Sequence, residues 1–470
     1  MHALRPQATR LGQILVFATL LGACGVAAAD AERLEADLRA LFGEGGNLSL
    51  GEVSSAMMRS RVSAENIVFE AQEGERLLIE RYIVSGDYDS PDEVILEGLR
   101  IEDSLTELML VSVERIVLGE PSRAVLPLDG GLAPEALRIG SLAIDGIDID
   151  LASEIAEDLF QGSAFREGEG RLTIDRVRGE ALSHSAIGML EFSDVAGTGQ
   201  DLGDLGTGSF SLASLRLEGL AGLDGEEETL DLLALRDLDI ASDRLVGSLE
   251  ELNLDGDFSD GVGGLRLEGF HLDLARMIEL APEEERTQLR MASNVLTDGS
   301  GELRLDAAFL GNWEEDGDRS ILRSDSQVTA HDALRLLFDI ELPLVLPDGI
   351  APVEVFADTD LLEAATLLGG EIHLTLADLG LFGRLATLGA AMEGVTEAQY
   401  IEQARTQAQG FGMMFGPQVQ SVLMGLVDLL EGNASELAIG ITLPAESDLE
   451  TWAGDPLALP DKLSLSVEAR

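Results

Sequence analysis

Apolar and polar residues alternate with a period of two from about Leu48 to about Asp306, and Gly, Asp and Ser interrupt the alternation. Successive side chains of a β-strand point to opposite faces, so this period predicts strands with one apolar and one polar face, separated by turns. The sequence therefore predicts a mainly β protein built on an extended, bent antiparallel sheet, arranged either as a groove or as a sandwich.

One local pattern recurs within this region. Apolar residues alternate, a small or turn residue follows, and the alternation resumes with shifted parity, in copies that begin at Val94, Leu137, Leu233, Leu265 and Leu374. Either a bulge within one long strand or a two-residue turn between two paired strands would keep all the apolar residues on one face. The unequal spacing of the copies argues against a solenoid of fixed repeat length. We expect the first four copies to line an apolar groove with Leu96, Leu99, Ile101, Leu137, Ile139, Leu142, Ile144, Leu235, Leu238, Ile240, Leu265, Leu267, Phe270 and Leu272.

Helical spacing of apolar residues appears near both ends of the chain. The stretch from Asp30 to Phe42 predicts one short amphipathic helix that ends at a glycine. Thr396 followed by Gln399 predicts a capping box that opens a helix to about residue 409. Pro417 predicts the first turn of another helix, and Gly432 its end.

Three prolines between Leu342 and Pro352 predict a break between two regions. The predicted organisation is a removable segment over 1–29, a helix plus a repetitive antiparallel β region over 30–342, and a C-terminal β region over 343–470. The last region carries a small helical hairpin insertion at about 379–432. Its strands are predicted at 353–356, 371–376, 436–443 and 463–467.

The first residues predict export from a bacterial-type cytoplasm. Arg5 and Arg10 precede an apolar run from Leu11 to Gly22, which is too short to span a bilayer comfortably. Two cleavage reactions fit this signal. Small residues at 27–29 suit a general signal peptidase, whereas the order Leu-Gly-Ala-Cys before residue 25 suits lipidation of Cys24, the single cysteine. The predicted location is the periplasm, with the protein either free or tethered to a membrane as a lipoprotein, and without a transmembrane span in the mature chain.

The charge of the chain argues against some classes of binding partner. The chain carries 87 acidic and 31 basic residues, a formal net charge of −56. No basic stripe is present to meet phosphates, so the sequence disfavours nucleic acid and anionic lipid headgroups as partners. With 45% hydrophobic residues the chain has enough apolar material for a large core, although aromatic residues make up only 4%.

No catalytic or cofactor motif is recognisable. The histidines lack the close spacing of a helical metal site, and neither a nucleophile elbow nor a phosphate loop occurs. Two acidic clusters admit a calcium interpretation, first Asp255, Asp257 and Asp260 and next Asp87, Asp89 and Asp92. Asp also dominates ordinary turns, and we favour that interpretation. The sequence predicts a protein without cofactors, metal sites or enzymatic activity.

The recurring strand pattern, the export signal and the Leu-rich, aromatic-poor core resemble the AsmA-like envelope proteins and related uncharacterised alphaproteobacterial periplasmic families. The resemblance covers about Leu48 to Leu381 and implies a long antiparallel sheet with a hydrophobic concave face that handles lipid in the cell envelope. This chain departs from those proteins in its extreme acidity and in lacking an N-terminal transmembrane helix. The leading hypothesis is an envelope protein that binds acyl chains or a hydrophobic partner in its groove. The alternatives are a structural or adhesion module that self-associates through sheet edges and, third, an enzyme of unassigned class.

Overall fold

The computed structural model describes residues 30–42, 46–56, 61–72, 74–125, 136–153, 156, 169–200, 206–225, 229–256, 262–316, 319–347, 350, 365–445, 447–448 and 464–470. Strands account for most of these residues, which confirms the predicted mainly β class. Contacts divide the chain into two compact units, Met1–Leu245 (unit 1) and Val246–Arg470 (unit 2).

Unit 1 combines one helix with an antiparallel meander. The helix is α1 (Asp30–Phe42), and the strands are β1 (Gly46–Ser49), β2 (Val53–Ala56), β3 (Arg61–Ala71), β4 (Glu75–Asp87), β5 (Ser90–Asp103), β6 (Met109–Gly119), β7 (Arg138–Asp150), β8 (Glu169–Ser183), β9 (Ala186–Gln200), β10 (Gly208–Ala221) and β11 (Leu232–Ser242). Both β1 and β2 pair with β3, and from β3 to β11 each strand pairs antiparallel with the next.

Unit 2 continues the antiparallel pattern and adds helices. Its elements are β12 (Val246–Asp255), β13 (Val262–Asp273), α2 (Leu274–Leu280), α3 (Arg286–Thr297), β14 (Glu302–Asp316), β15 (Arg319–Ala330), β16 (Leu334–Val345), β17 (Thr366–Leu367), β18 (Gly370–Asp378), α4 (Leu381–Glu393), α5 (Glu397–Phe415), α6 (Pro417–Glu431), β19 (Glu436–Leu443), β20 (Ser447–Asp448) and β21 (Ser464–Ala469). The main pairing order is β12, β13, β14, β15, β16, β18, β19, β21. The short β17 pairs with β16 and with β20.

The predicted C-terminal helical insertion is confirmed, and it contains three helices. The Thr396 hydroxyl accepts the backbone N–H of Gln399, whose side chain accepts the Thr396 N–H, which completes the predicted capping box. Pro417 opens α6, and left-handed Gly432 ends it, as predicted. Helix α1 also has the predicted bounds.

The strand pattern predicted up to Asp306 is wrong over the segment that forms α2 and α3. The Asp273 carboxylate accepts the backbone N–H of Arg276 and caps the start of α2, so the chain leaves the sheet directly after β13. Asp298, in the left-handed conformation, follows the last residue of α3. The Asp273 cap and the left-handed Asp298 are short signals inside a long alternating sequence, which is why the alternation did not reveal these helices.

The structure decides between the two interpretations of the recurring pattern. The copies that begin at Val94, Leu233 and Leu265 lie within continuous strands, and the copy that begins at Leu137 runs directly into β7, so none of the four is a hairpin turn. In three of them the small residue is left-handed, with φ of 64° at Gly98, 51° at Asp237 and 64° at Gly269. In β5, Val94 and Leu96 before Gly98 and Leu99 and Ile101 after it are all buried.

In unit 1 one set of irregular positions aligns into a transverse row that crosses β3 to β11, which we call the kink row: Asn66, Glu80, Gly98, Glu114, Gly146, Asp175, Asp194, Ala213 and Asp237. Every second member is left-handed: Asn66, Gly98, Gly146, Asp194 and Asp237. Each pair of neighbouring strands keeps the same pairing register before and after the row. Because every strand changes parity at the same level, one sheet face stays apolar above and below the row.

The copy that begins at Leu374 has a different structure. Strand β18 ends at Asp378, and helix α4 begins at Leu381. The Asp378 carboxylate accepts the backbone N–H groups of Gly380 and Phe382, so it stops the strand and supports the first turn of the helix. The bulge-or-turn interpretation is therefore wrong for this copy.

The predicted break near residue 342 falls within the last residues of β16, whereas the contact-based division lies between Leu245 and Val246. The strand predicted at 353–356 lies outside the described residues, as does the predicted signal over 1–29 with Cys24. The strands predicted at 371–376, 436–443 and 463–467 correspond to β18, β19 and β21.

Candidate functional site

The apolar face of unit 1 is closed at its N-terminal end by helix α1. Leu34 and Leu38 are fully buried, and the ring of Phe42 lies 4.9 Å from that of Phe69 on β3. Burying side chains of this size stabilises the fold by about 1.5 to 3 kcal/mol each. The helix is thus an integral cover of the sheet.

Polar contacts fix α1 against the β4–β5 hairpin. The Tyr88 hydroxyl donates to the Asp37 carboxylate at 2.9 Å, and the Arg33 guanidinium lies 4.6 Å from the centre of the Tyr88 ring. Arg33 also pairs with Asp89. Burial, followed by the nearby Asp37 carboxylate, raises the pKa of Tyr88, so the phenol stays protonated and remains a donor.

The segment 121–125 covers a second part of the same face. The Tyr82 hydroxyl on β4 donates to the Ala124 carbonyl at 2.7 Å, and both Ala124 and Val125 are buried. Burial raises the pKa of Tyr82, which keeps this donor protonated. Because β4 and the end of β6 are not adjacent strands, this bond holds the segment across the apolar side of the sheet.

The cover is less complete at β9, β10 and β11. From β3 to β6 the apolar face contributes many fully buried side chains, whereas the apolar side chains of β9 and β10 are only partly buried. Cross-strand register brings these partly exposed residues together in rows of one residue per strand: Val195, Leu212 and Leu238; Phe192, Leu215 and Leu235; Leu190, Leu217 and Leu233. Phe210 and Ile240 extend the surface, which we call the β9–β11 face.

The opposite face of these strands is polar. The side chains of Glu191 and Arg216 form an ion pair at 3.4 Å, and Ser193 lies opposite Ser214 in the register. The kink-row residues Asp194 and Asp237 are exposed to solvent. The three strands therefore separate an uncharged apolar surface from a charged one, and only the apolar surface offers a site for a water-insoluble ligand.

The predicted groove residues lie in four different environments in the structure. Leu96, Leu99, Ile101 and Ile139 lie in the buried core of unit 1, and Leu137, Leu142 and Ile144 pack against that core with partial exposure. Leu235, Leu238 and Ile240 belong to the β9–β11 face. Leu265, Leu267, Phe270 and Leu272 lie on β13 in unit 2, opposite Phe309, Ala307, Leu305 and Leu303 of β14.

Sequence reasoning missed the residues of β9 and β10 at the centre of the face. Phe210, Leu212, Leu215 and Leu217 repeat the recurring pattern with Ser214 at the small position, directly after Ala213 of the kink row. The search for the pattern missed this copy, although Ser is one of the residue types at the small position of the other copies.

Unit 2 contains a polar cleft of about 720 Å³ on strands β12 to β15. The Asp306 carboxylate at its centre accepts the Gly269 N–H at 2.8 Å through one oxygen and contacts the His331 Nε2 at 2.6 Å through the other. Partial burial opposes ionisation of Asp306, but these two hydrogen bonds outweigh it and lower the pKa of the carboxyl. Asp306 thus provides a hydrogen-bond acceptor for the backbone N–H of the left-handed Gly269, and we assign it a role in stabilising the strand irregularity.

The described residues offer no metal centre. Within them, no three His, Cys, Asp or Glu side chains converge closely enough to hold an ion. In the acidic cluster at residues 87–92, the Asp87 carboxylate accepts the Asp89 N–H at 2.9 Å and Asp89 pairs with Arg33. These carboxylates support a turn, as the favoured interpretation of the cluster predicts.

Over the described ranges, no helix is both long and apolar enough to cross a membrane.

Comparison with known proteins does not identify an activity. Residues 323–470 match the model of a family described as an uncharacterized protein. The match begins within β15, covers the C-terminal helices and leaves out the β9–β11 face. No curated protein matches the chain. The fold and the site define a mainly β protein with a partly exposed apolar sheet face.

Proposed function

We propose that the protein is a non-catalytic binding protein that holds lipid acyl chains against the β9–β11 face. The observation that carries this proposal is the gradient of burial along one apolar sheet face. The same pattern of side chains is sealed by α1 and by residues 121–125 at one end, and is left partly open over three adjacent strands at the other.

The chemistry of the face favours a hydrocarbon ligand. Its aligned rows contain Leu, Val, Ile and Phe, which offer contact area and no hydrogen-bonding groups. Each methylene that leaves water on such a surface contributes about 0.8 kcal/mol. A chain that lies along the rows can therefore bind without a headgroup site.

The charge of the protein restricts the headgroup. With a formal charge of −56, an anionic headgroup would meet repulsion from most directions, whereas a neutral or zwitterionic lipid would not. The proposed ligand class is therefore an acyl lipid without net negative charge. The location in the periplasm, the signal over 1–29 and the resemblance to the AsmA-like proteins remain predictions, and all three agree with this ligand class.

Native mass spectrometry of protein purified without detergent tests the proposal. We expect adducts with the masses of acyl lipids, which organic extraction removes and added zwitterionic lipid restores. The Ser211→Glu variant, altered on the exposed polar side of β10, should carry the same adducts. A protein that stays free of lipid both after purification and after incubation with the lipid would contradict the proposed function.

A further inference from the structure

A second apolar surface lies in unit 2, at the turn between α5 and α6. The two helices pack against each other and are joined by the single residue Gly416, so they form an antiparallel hairpin whose tip is this turn. Close packing near the tip requires Gly412, because a Cβ there would lie 2.4 Å from the Cβ of Gln420.

Large apolar side chains at this tip point into solvent. Met413 and Met414 are 86% and 74% exposed, and Phe411 and Phe415 are 49% and 41% exposed. The two phenyl rings stack on each other with centres 6.2 Å apart. We call these four residues the hairpin tip. In the part of the chain that the structure describes, no other five-residue segment contains four exposed large apolar residues.

The charge pattern around the tip is unlike that of the rest of the chain. Charged residues make up 25% of the sequence, yet no Asp, Glu, Lys or Arg occurs from Thr406 to Val427. The polar side chains next to the tip on α5 are the exposed amides of Gln407 and Gln409. An amide can hydrogen-bond at a lipid headgroup without carrying a charge.

From these observations we infer that the hairpin tip inserts into the interfacial region of a neutral or zwitterionic bilayer. A charged residue within a bilayer costs about 2.5 to 3.5 kcal/mol on insertion scales, so a segment that enters lipid must be free of charge. Protein-docking surfaces are also rich in Phe and Met, but they carry a polar rim and frequent Arg, and this charge-free segment has no Arg. The tip is the end of a helical hairpin with its large apolar side chains exposed, and the acidity of the chain excludes anionic headgroups as the attraction.

The contact is shallow. Four side chains at the end of a hairpin reach the boundary between headgroups and acyl chains, as interfacial helices do, and they do not span the bilayer. This membrane contact rests on residues of unit 2 and is independent of acyl-chain binding on the β9–β11 face. The two proposals can therefore fail separately.

Flotation with vesicles of phosphatidylcholine tests the inference on the full chain. We expect the wild-type protein to float with the vesicles at low salt and equally at 0.5 M NaCl, because insertion of apolar side chains needs no ionic attraction (about a 4 Å screening length at this salt). The double variant Met413→Glu/Met414→Glu should lose at least about tenfold in partition coefficient, which corresponds to about 1.4 kcal/mol.

The matched control is Met291→Glu/Met392→Glu, which places the same two charges on exposed methionines of α3 and α4. The partition coefficient of this control should lie within about twofold of the wild-type value. A tryptophan introduced by Met414→Trp should be quenched by lipids brominated on their acyl chains. The inference is overturned if the wild type does not float, if the control loses as much as the tip variant, or if brominated lipid leaves the tryptophan unquenched.

Discussion

The Leu215→Glu variant should bind a fluorescent long-chain acyl probe at least about tenfold more weakly than the wild type. Leu215 lies in the middle row of the β9–β11 face, between Phe192 and Leu235. Removal of a leucine contact costs about 1.5 to 3 kcal/mol, and a carboxylate next to a hydrocarbon chain adds a desolvation cost. The measurement is a fluorescence titration of both proteins with the probe.

Two further variants localise this effect. Ser211→Glu adds the same charge to the same strand on its polar, exposed side and should leave the affinity within about twofold of the wild type. Leu235→Glu, on the adjacent strand, should weaken binding as Leu215→Glu does. Unfolding curves of all three variants show whether a variant that loses affinity is still folded. Equal affinities of Leu215→Glu and Ser211→Glu for the probe would remove the β9–β11 face as the binding site.

The Gly98→Val variant should lower the free energy of unfolding by about 2 to 3 kcal/mol. Gly98 has φ of 64°, a conformation that a β-branched residue strongly disfavours, and a Cβ at this position would lie 2.5 Å from the Glu80 side chain. The kink row depends on this backbone geometry, since it lets β5 keep one apolar face on both sides of the irregular position. Denaturant unfolding followed by circular dichroism measures the change.

The Gly98→Asn variant separates backbone strain from the steric contact. Asn introduces the same Cβ near Glu80 but tolerates the left-handed region. The Gly98→Asn variant should therefore lose less than about half of the free energy of unfolding that Gly98→Val loses. At Asp237, with φ of 51°, the replacement Asp237→Gly should leave stability unchanged or raise it by up to about 1 kcal/mol. Equal losses for Val and Asn at residue 98 would show that the left-handed conformation is not what the position requires.

Much of the architecture follows from patterns that short-range physics determines. The alternation over 48–306 predicted strands because side chains of a strand alternate between two faces, and two of the residues at which the parity shifts, Gly98 and Asp237, lie in the kink row. The Thr396 capping box and the Pro417 helix start were predictable because both depend on neighbouring residues alone. Helices α2 and α3 were missed because their caps are brief signals within an alternating sequence.

The candidate site was less predictable, because exposure depends on what covers a residue. Leu96 and Leu235 occupy equivalent places in the recurring pattern, yet Leu96 lies in the sealed core and Leu235 on the partly exposed face. The difference comes from α1 and from the segment 121–125, which Tyr82 holds through the Ala124 carbonyl. The sequence around either leucine does not indicate which distant segments pack against it.

Photo-crosslinking with a zwitterionic lipid that carries a diazirine in its acyl chain tests the central claim most directly. The lipid is supplied below the concentration at which it forms vesicles, to protein with the Met413→Glu/Met414→Glu replacement, so that contact of the hairpin tip with lipid does not contribute. We predict that most cross-linked peptides come from β9, β10 and β11, within residues 186–242, and that unlabelled lipid competes with them. Cross-links scattered over the chain, or concentrated outside these strands, would contradict acyl-chain binding on the β9–β11 face.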